Sequence, residues 1–256
     1  MFLHSPLCRA VLLCHNNFMN ADKKLAVFDW NGTLFDDMEA THIATNACLN
    51  FFDIPEITLE EEQELFTFPL IHFYEKVGVS VDHYLKHAKE VGELFHSVYN
   101  THKEHCYLAK GAIELLNWLT EQDVTCKILS NHNQAILNND VAHFNIEHYF
   151  DEISGNVDPA TIVTGMNKFE RLEAFMQENG YSAESSFIIG DSHEEPELAR
   201  KMNILGISIT GGLLSPARIE KYKKDYVIDC LTELPEILTK EWGLKLPQNM
   251  SKTKLA

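Results

Sequence analysis

Six short runs rich in β-branched and aromatic residues punctuate this chain, separated mostly by stretches with apolar residues at helical spacing. The runs are LAVFD (25–29), VTCKIL (124–129), DEIS (151–154), SFIIG (186–190), GISIT (206–210) and YVID (226–229). Such alternation leaves few folds open. Parallel strands are buried on both faces, so they need helices above and below, and each crossover supplies one. The expected core is therefore α/β, a doubly wound parallel sheet. Gly111 to Glu121 carries Ile113, Leu115, Leu116 and Leu119 at helical spacing. Lys168 to Asn179 stops at Gly180, and Ser215-Pro216 joins a capping hydroxyl to a proline suited to the first helical position.

One segment breaks the alternation. From 38 to about 106 the pattern is all helical, over Met38 to Phe52, Thr58 to Phe66, Leu70 to Val77 and Val81 to His102. Thr58-Leu59-Glu60-Glu61 is a capping-box sequence, and Gly78 with Ser80 marks the turn before the last helix. The expected organisation is an N-terminal extension over 1–23, a core from 24–37 and 107–240, a helical cap over 38–106, and a C-terminal tail over 241–256 that frays from about Lys240.

Bulk properties exclude several functions. Hydrophobic residues at 45% and charged residues at 23% describe a globular chain, and no apolar run reaches the ~20 residues of a membrane span. A formal charge of −17 repels polyanions, so no nucleic-acid partner and no membrane partner is expected. Cys8, Cys14, Cys48, Cys106, Cys126 and Cys230 lack the spacing of a zinc site, which suits free thiols in a reducing cytoplasm. The opening MFLHSPLCRAVLLCHNNF lacks the leading cation and unbroken apolar centre of a signal peptide, and Met19 is the natural beginning of the domain.

Parallel sheets bind ligands beyond the carboxyl ends of their strands. There this chain places Asp29, then Ser130-Asn131, then Gly190-Asp191. Any one of these is an ordinary turn or cap residue, but three at one end of one sheet indicate a site. A carboxylate can attack phosphorus and form a covalent intermediate. A second carboxylate can share Mg²⁺ with it, cancelling repulsion between the nucleophile and an anionic phosphoryl group. A serine hydroxyl can bond a phosphoryl oxygen, and a lysine can balance its charge; Lys168, opening a helix after Gly165-Met166-Asn167, is placed for that.

DWNGT (29–33), LSN (129–131), Lys168 and GDSHEE (190–195) together resemble the four motifs of the haloacid dehalogenase superfamily of phosphohydrolases. The resemblance runs from Lys24 to about Leu238 and implies a Rossmann-like core with an inserted all-helical cap. FPLIHFYEKVG (68–78) is similar to the cap of phosphoglycolate phosphatase-like members. The resemblance implies Mg²⁺-dependent hydrolysis of a small phosphorylated metabolite, a phosphate monoester, through phospho-Asp29. Ser130 and Lys168 would hold and neutralise the phosphoryl group, with Gly32, Thr33 and Asn131 around it. Asp29, the Asn31 carbonyl, Asp191 and Glu195 would serve the metal, with Glu194 as Glu195's rival. No pattern specifies an oligomeric state.

The chain departs from that superfamily at Asn31, where its phosphatases carry an aspartate that protonates the leaving oxygen and then activates water. A carboxamide does neither. Substrates with good leaving groups, a substitute acid such as His193 or His132, or a weakly active or non-catalytic phosphate binder are the three ways out. A metal-free dehalogenase is a further alternative, disfavoured by Asp191, Glu194 and Glu195. Asn31-Gly32 is also a deamidation-prone pair. His83 and His87 share a helix face without a third ligand, Lys103 could help to hold an anion, and Phe66, Phe68, Phe73 and Tyr74 read as packing of the cap.

Overall fold

A computed structural model describes residues 23–157 and 167–247. The expectations for the N-terminal extension up to residue 22, for the Gly165-Met166 part of the turn before Lys168, and for the tail beyond residue 247 fall outside the described residues.

The sheet has six strands, all parallel: β1 (Lys24–Phe28), β4 (Val124–Asn133), β5 (Phe150–Asn156), β6 (Ser186–Gly190), β7 (Leu205–Ile209) and β8 (Tyr226–Ile228). Their spatial order is β5-β4-β1-β6-β7-β8. The chain winds outward from β1 to one edge and then returns to build the other half. β1 is thus the switch point, with β4 on one flank and β6 on the other, where a doubly wound sheet opens a crevice at its carboxyl end.

The period of two along β1 explains its burial. Leu25 and Val27 face one helix layer, where they meet Leu172, Phe175 and Met176 of a helix over Lys168–Asn179. Ala26 and Phe28 face the other, against Leu115, Leu116 and Leu119 of the helix Ala112–Glu121. The helices expected from sequence are present to within a residue or two at each end, with Gly180 (φ +71°) closing one and Ser215 capping another. Three more, Gln134–His143, Glu194–Met202 and Leu234–Trp242, complete the layers. The tail does not fray at Lys240. The last helix runs to Trp242, Leu244 packs into the core, and Lys245 O accepts from Trp118 Nε1.

Four helices form the insertion: α1 (Met38–Phe51), α2 (Leu59–Leu65), α3 (Leu70–Lys76) and α4 (Val81–Lys103). The Thr58 capping box is formed, with hydroxyl and Glu61 carboxylate each taking the other's backbone amide. Cys48, Leu49, Phe52, Phe73, Tyr74 and Tyr84 build an apolar cluster of the insertion's own. A two-stranded antiparallel ribbon, β2 (Phe35–Asp36) with β3 (Tyr107–Leu108), brings both ends of the insertion to one place beside β1. A second tie lies across from it. Arg218 Nη1 donates to Gln63 O and Phe66 O at 2.8 and 2.6 Å, and Gln63 Nε2 donates to Gly212 O at 2.7 Å. Among the described residues no helix is long and apolar enough to cross a membrane.

Candidate active site

Asp29 is the first residue beyond β1. Its amide still donates to Ile189 O of β6 at 3.0 Å, so the sheet sets its position. Oδ1 accepts from Trp30 N at 2.8 Å, which aims Oδ2 at the Lys168 ammonium 3.0 Å away. The turn that follows is closed by the amides of Thr33, Leu34 and Phe35 on Trp30 O. Gly32 adopts φ +67°, and a Cβ there would lie 2.2 Å from Asp191 Oδ2, so both backbone and space require glycine.

Lys168 opens its helix almost wholly buried. Its Nζ lies 2.6 Å from Glu195 Oε1, 3.0 Å from Asp29 Oδ2 and 3.7 Å from Glu194 Oε2. Ser192 Oγ donates to the other Glu195 oxygen at 2.7 Å, so both oxygens of that side chain are engaged. Asn131 Nδ2 holds Glu194 Oε2. Asp191 Oδ2 accepts from Leu213 N at 2.7 Å, while its Oδ1 is buried without a hydrogen-bond partner.

Three buried carboxyl groups therefore surround one buried ammonium, and a fourth, Asp191, is buried beside them. Burial pushes Asp29 up to about 6 against the opposing charge of Lys168. Burial likewise lifts Glu194 to about 7, and burial with the charges of Asp29 and Glu195 raises Asp191 well above its usual range. Glu195 differs: burial works against its charge, but Lys168 and Ser192 outweigh it and hold the carboxyl below its ordinary value. Lys168 is itself raised, since Asp29, Glu195 and Glu194 together overcome its burial.

A stability consequence follows, with a definite sign. Asp29 and Glu194 hold their protons more tightly folded than unfolded, so the stability they contribute is complete below the ordinary carboxylate range. It is lost as pH rises through about 6 and then about 7. Thermal melts of the protein in EDTA are expected to fall by several degrees between pH 5 and pH 8. A flat or rising profile over that window would contradict the assignment.

In front of this cluster lies a cavity of about 540 Å³ between the sheet's carboxyl end and the helical insertion. Asp29, Asn31, Gly32, Ser130 and Asn131 form its floor, and aromatic side chains of the insertion form its wall. A buried carboxylate with a lysine behind it, a hydroxyl and an amide beside it, and a cavity above it has the chemistry to receive an anionic group.

Residues 26–209 match the haloacid dehalogenase-like hydrolase family, well over half of the chain. The chain belongs to that family. Solved structures similar to this haloacid dehalogenase-like hydrolase include a family hydrolase from Streptococcus pneumoniae, 22% identical, covering 84% of this chain and 98% of that one with a TM-score of 0.70. A predicted phosphatase from Clostridium acetobutylicum is 20% identical over 86% of this chain and 100% of its own, with a TM-score of 0.67. A predicted phosphoglycolate phosphatase from Haemophilus somnus is 17% identical over 84% and 97%, with a TM-score of 0.63. No curated protein matches the chain.

The structure of this haloacid dehalogenase-like hydrolase brings Asp29, Ser130, Asn131, Lys168, Asp191, Glu194 and Glu195 together. Thr33 is set apart, for its side chain is fully buried away from the cavity lining and its amide closes the turn on Trp30 O. His132 lines the cavity with Nε2 3.6 Å from Asp140 Oδ2, whereas His193 faces Tyr222 and does not line it. Lys103 is committed to Asp140 Oδ1 at 2.7 Å. His83 and His87 pack edge-on against Phe52 and Phe51, and no group of three His, Cys, Asp or Glu among the described residues is arranged as a ready metal site. Phe66, Phe68, Phe73 and Tyr74 pack the insertion as expected, and all four also face the cavity.

Three participants have no motif to announce them. Asp37 is buried beside Asn31: Asn31 Nδ2 donates to Asp37 Oδ2 at 2.6 Å, Tyr99 OH donates to the same oxygen at 2.6 Å, and Gly32 N donates to Asp37 Oδ1 at 2.9 Å. Burial raises the Asp37 carboxyl, with those donors opposing. Tyr99 reaches in from α4, 62 residues further along the chain. Arg171, one turn along the helix from Lys168, ties Ser130 O at 2.9 Å and Ser154 Oγ at 3.2 Å, bracing the ends of β4 and β5. Only Arg171 had a sequence signal, its three-residue spacing from Lys168.

Proposed function

We propose that this chain hydrolyses small phosphate monoesters in two displacements at Asp29. In the first, an Asp29 oxygen attacks phosphorus, the bond to the leaving oxygen breaks, and that oxygen departs as an alcohol once it gains a proton. In the second, water attacks the acyl phosphate, releasing phosphate and restoring the carboxylate. The observation that carries this reading is the Asp29–Lys168 contact at 3.0 Å at the floor of the cavity. Lys168 keeps the nucleophile partly ionised despite burial and offsets charge on the phosphoryl group, while Ser130 Oγ and Asn131 Nδ2 stand where phosphoryl oxygens would be bonded.

The donors fit a hard divalent cation. Asp191 Oδ1 is a buried, unpartnered carboxylate oxygen, and the surplus of carboxyl groups over ammonium groups calls for positive charge. Asp29, Asp191 and the Asn31 backbone carbonyl would hold Mg²⁺, which when bound neutralises charge between nucleophile and phosphoryl group. Glu195, with both oxygens engaged by Lys168 and Ser192, would act on that ion through its charge or through an intervening water.

A second reading, a phosphate-ligand binder with little turnover, is favoured by one observation. The Asn31 amide is spent on Asp37 and Tyr99, so neither proton transfer is provided at that position. Phosphate release from acetyl phosphate and from 4-nitrophenyl phosphate, with Mg²⁺ and with EDTA, separates the two. The expected result is Mg²⁺-dependent release, faster for acetyl phosphate. Phosphate binding by calorimetry with no release from either substrate would establish the binder instead.

A further inference from the structure

The cavity wall carries information about the leaving group that the catalytic floor does not. Phe66, Phe68, Phe73, Tyr74, Tyr84 and Phe95 face the space above Asp29 from the insertion. Lys89 is the sole lysine or arginine among the described residues that line the cavity, and its side chain is 86% exposed at the rim beside Glu93, 3.8 Å away. The other cations nearby are occupied: Lys168 by Asp29 and Glu195, Arg171 by Ser130 O and Ser154, Lys103 by Asp140. His96, on the wall, is kept towards its neutral form by burial. A leaving group carrying a carboxylate would therefore lose its water and meet aromatic faces, with Asp37 and Glu93 adding repulsion.

Gly92 adds an independent indication. It lies in the middle of α4 and lines the cavity, and a Cβ built on it meets nothing within 4 Å. An interior helical glycine costs ~1 kcal/mol relative to alanine, so that open volume is kept against the helix's own preference. A volume of about 540 Å³ lies within the range of ~300 to 1,000 Å³ typical of pockets that enclose ligands well beyond a two-carbon acid.

We infer that the space enclosed by Gly92 and the aromatic wall is a leaving-group subsite for an uncharged, bulky, largely apolar alcohol, so that the substrates are apolar phosphate monoesters and not phosphorylated carboxylic acids such as phosphoglycolate. The inference rests on the phosphatase reading for its chemistry but not for its test. Binding of two non-hydrolysable probes, cyclohexylmethylphosphonate and phosphonoacetate, is measured by calorimetry in Mg²⁺. The apolar probe is expected to bind at least about a hundredfold more tightly, the return on burying its ring. Gly92→Leu, which projects a side chain into the open volume, is expected to reduce that preference by about tenfold or more, with its melting temperature reporting that it folds. Equal affinities, tighter binding of phosphonoacetate, or an unchanged preference in Gly92→Leu would each overturn the subsite. Acetyl phosphate turnover is followed in parallel: its absence alongside the apolar preference would refute the phosphatase reading and leave the subsite standing.

Discussion

Asp29→Asn is expected to abolish phosphate release, by roughly 10⁴-fold or more, the scale of loss when a covalent nucleophile is removed, while leaving the fold at least as stable as wild type. The two halves of that result come from one geometry. Asp29 lines the cavity with its Oδ2 3.0 Å from Lys168, and a carboxamide in its place is a poor nucleophile towards phosphorus. Burial has already raised this carboxyl to about 6, so at neutral pH its charge is held at a cost that a neutral isostere removes. Lys168 is not left unpaired, because Glu195 remains at 2.6 Å. Phosphate release from acetyl phosphate, a melting curve, and a mass spectrum after brief exposure to substrate check the three consequences. Turnover that survives in Asp29→Asn, or a phospho-adduct mapping to another residue, would remove the mechanism.

Asn31→Asp is expected to raise turnover only slightly, if at all, and the double substitution Asn31→Asp with Asp37→Asn to raise it about 10² to 10⁴-fold on alkyl phosphates, the usual worth of acid–base assistance. The single change puts a carboxyl oxygen where Nδ2 now stands, 2.6 Å from Asp37 Oδ2. Two carboxylates that close share one proton, so the new acid is consumed by its neighbour, at a cost in stability. Exchanging the pair restores one amide and one carboxyl with their positions reversed: the amide oxygen at 37 keeps the bond from Gly32 N, its NH2 donates to the carboxyl at 31, and Tyr99 OH, 3.1 Å from the side chain at 31, turns to donate to that carboxyl. Acetyl phosphate, whose leaving group needs little help, should show almost none of the gain. A full gain in the single variant, or none in the double, would show that Asp37 does not govern position 31.

Much of this arrangement was legible because it is local. SFIIG occupies β6 over the expected residues, and Lys168 to Asn179 is helical as its spacing and Gly180 imply. Asp29, Ser130 and Asp191 could be placed at one end of the sheet because parallel strands present their carboxyl ends together. The Asn31–Asp37–Tyr99 cluster was not legible, since Tyr99 meets Asp37 only through the packing of α4 against the insertion's entry point. What Glu195 faces was hidden for a related reason. Sequence shows a glutamate one methylene longer than expected, but which cation its oxygens face is decided by Ser192 and by a lysine 27 residues away. The aromatic wall read correctly as packing, and its second face became visible only with the cavity.

The place of β1 at the centre of the sheet also governs how the molecule assembles. Lys24 pairs with Val124 and Leu25 with Ser186, so β1 finds its neighbours only after roughly a hundred and then a hundred and sixty further residues have been synthesised. Closing loops of that length costs chain entropy before any strand pair returns it. The insertion shortens the search. Its apolar cluster is local in sequence, so α1 to α4 are expected to gather early, and the β2–β3 ribbon holds residue 107 beside residue 36, with β4 only a helix away. The segment that roofs the cavity is thus also expected to act as a splint that brings the central strand to its partners.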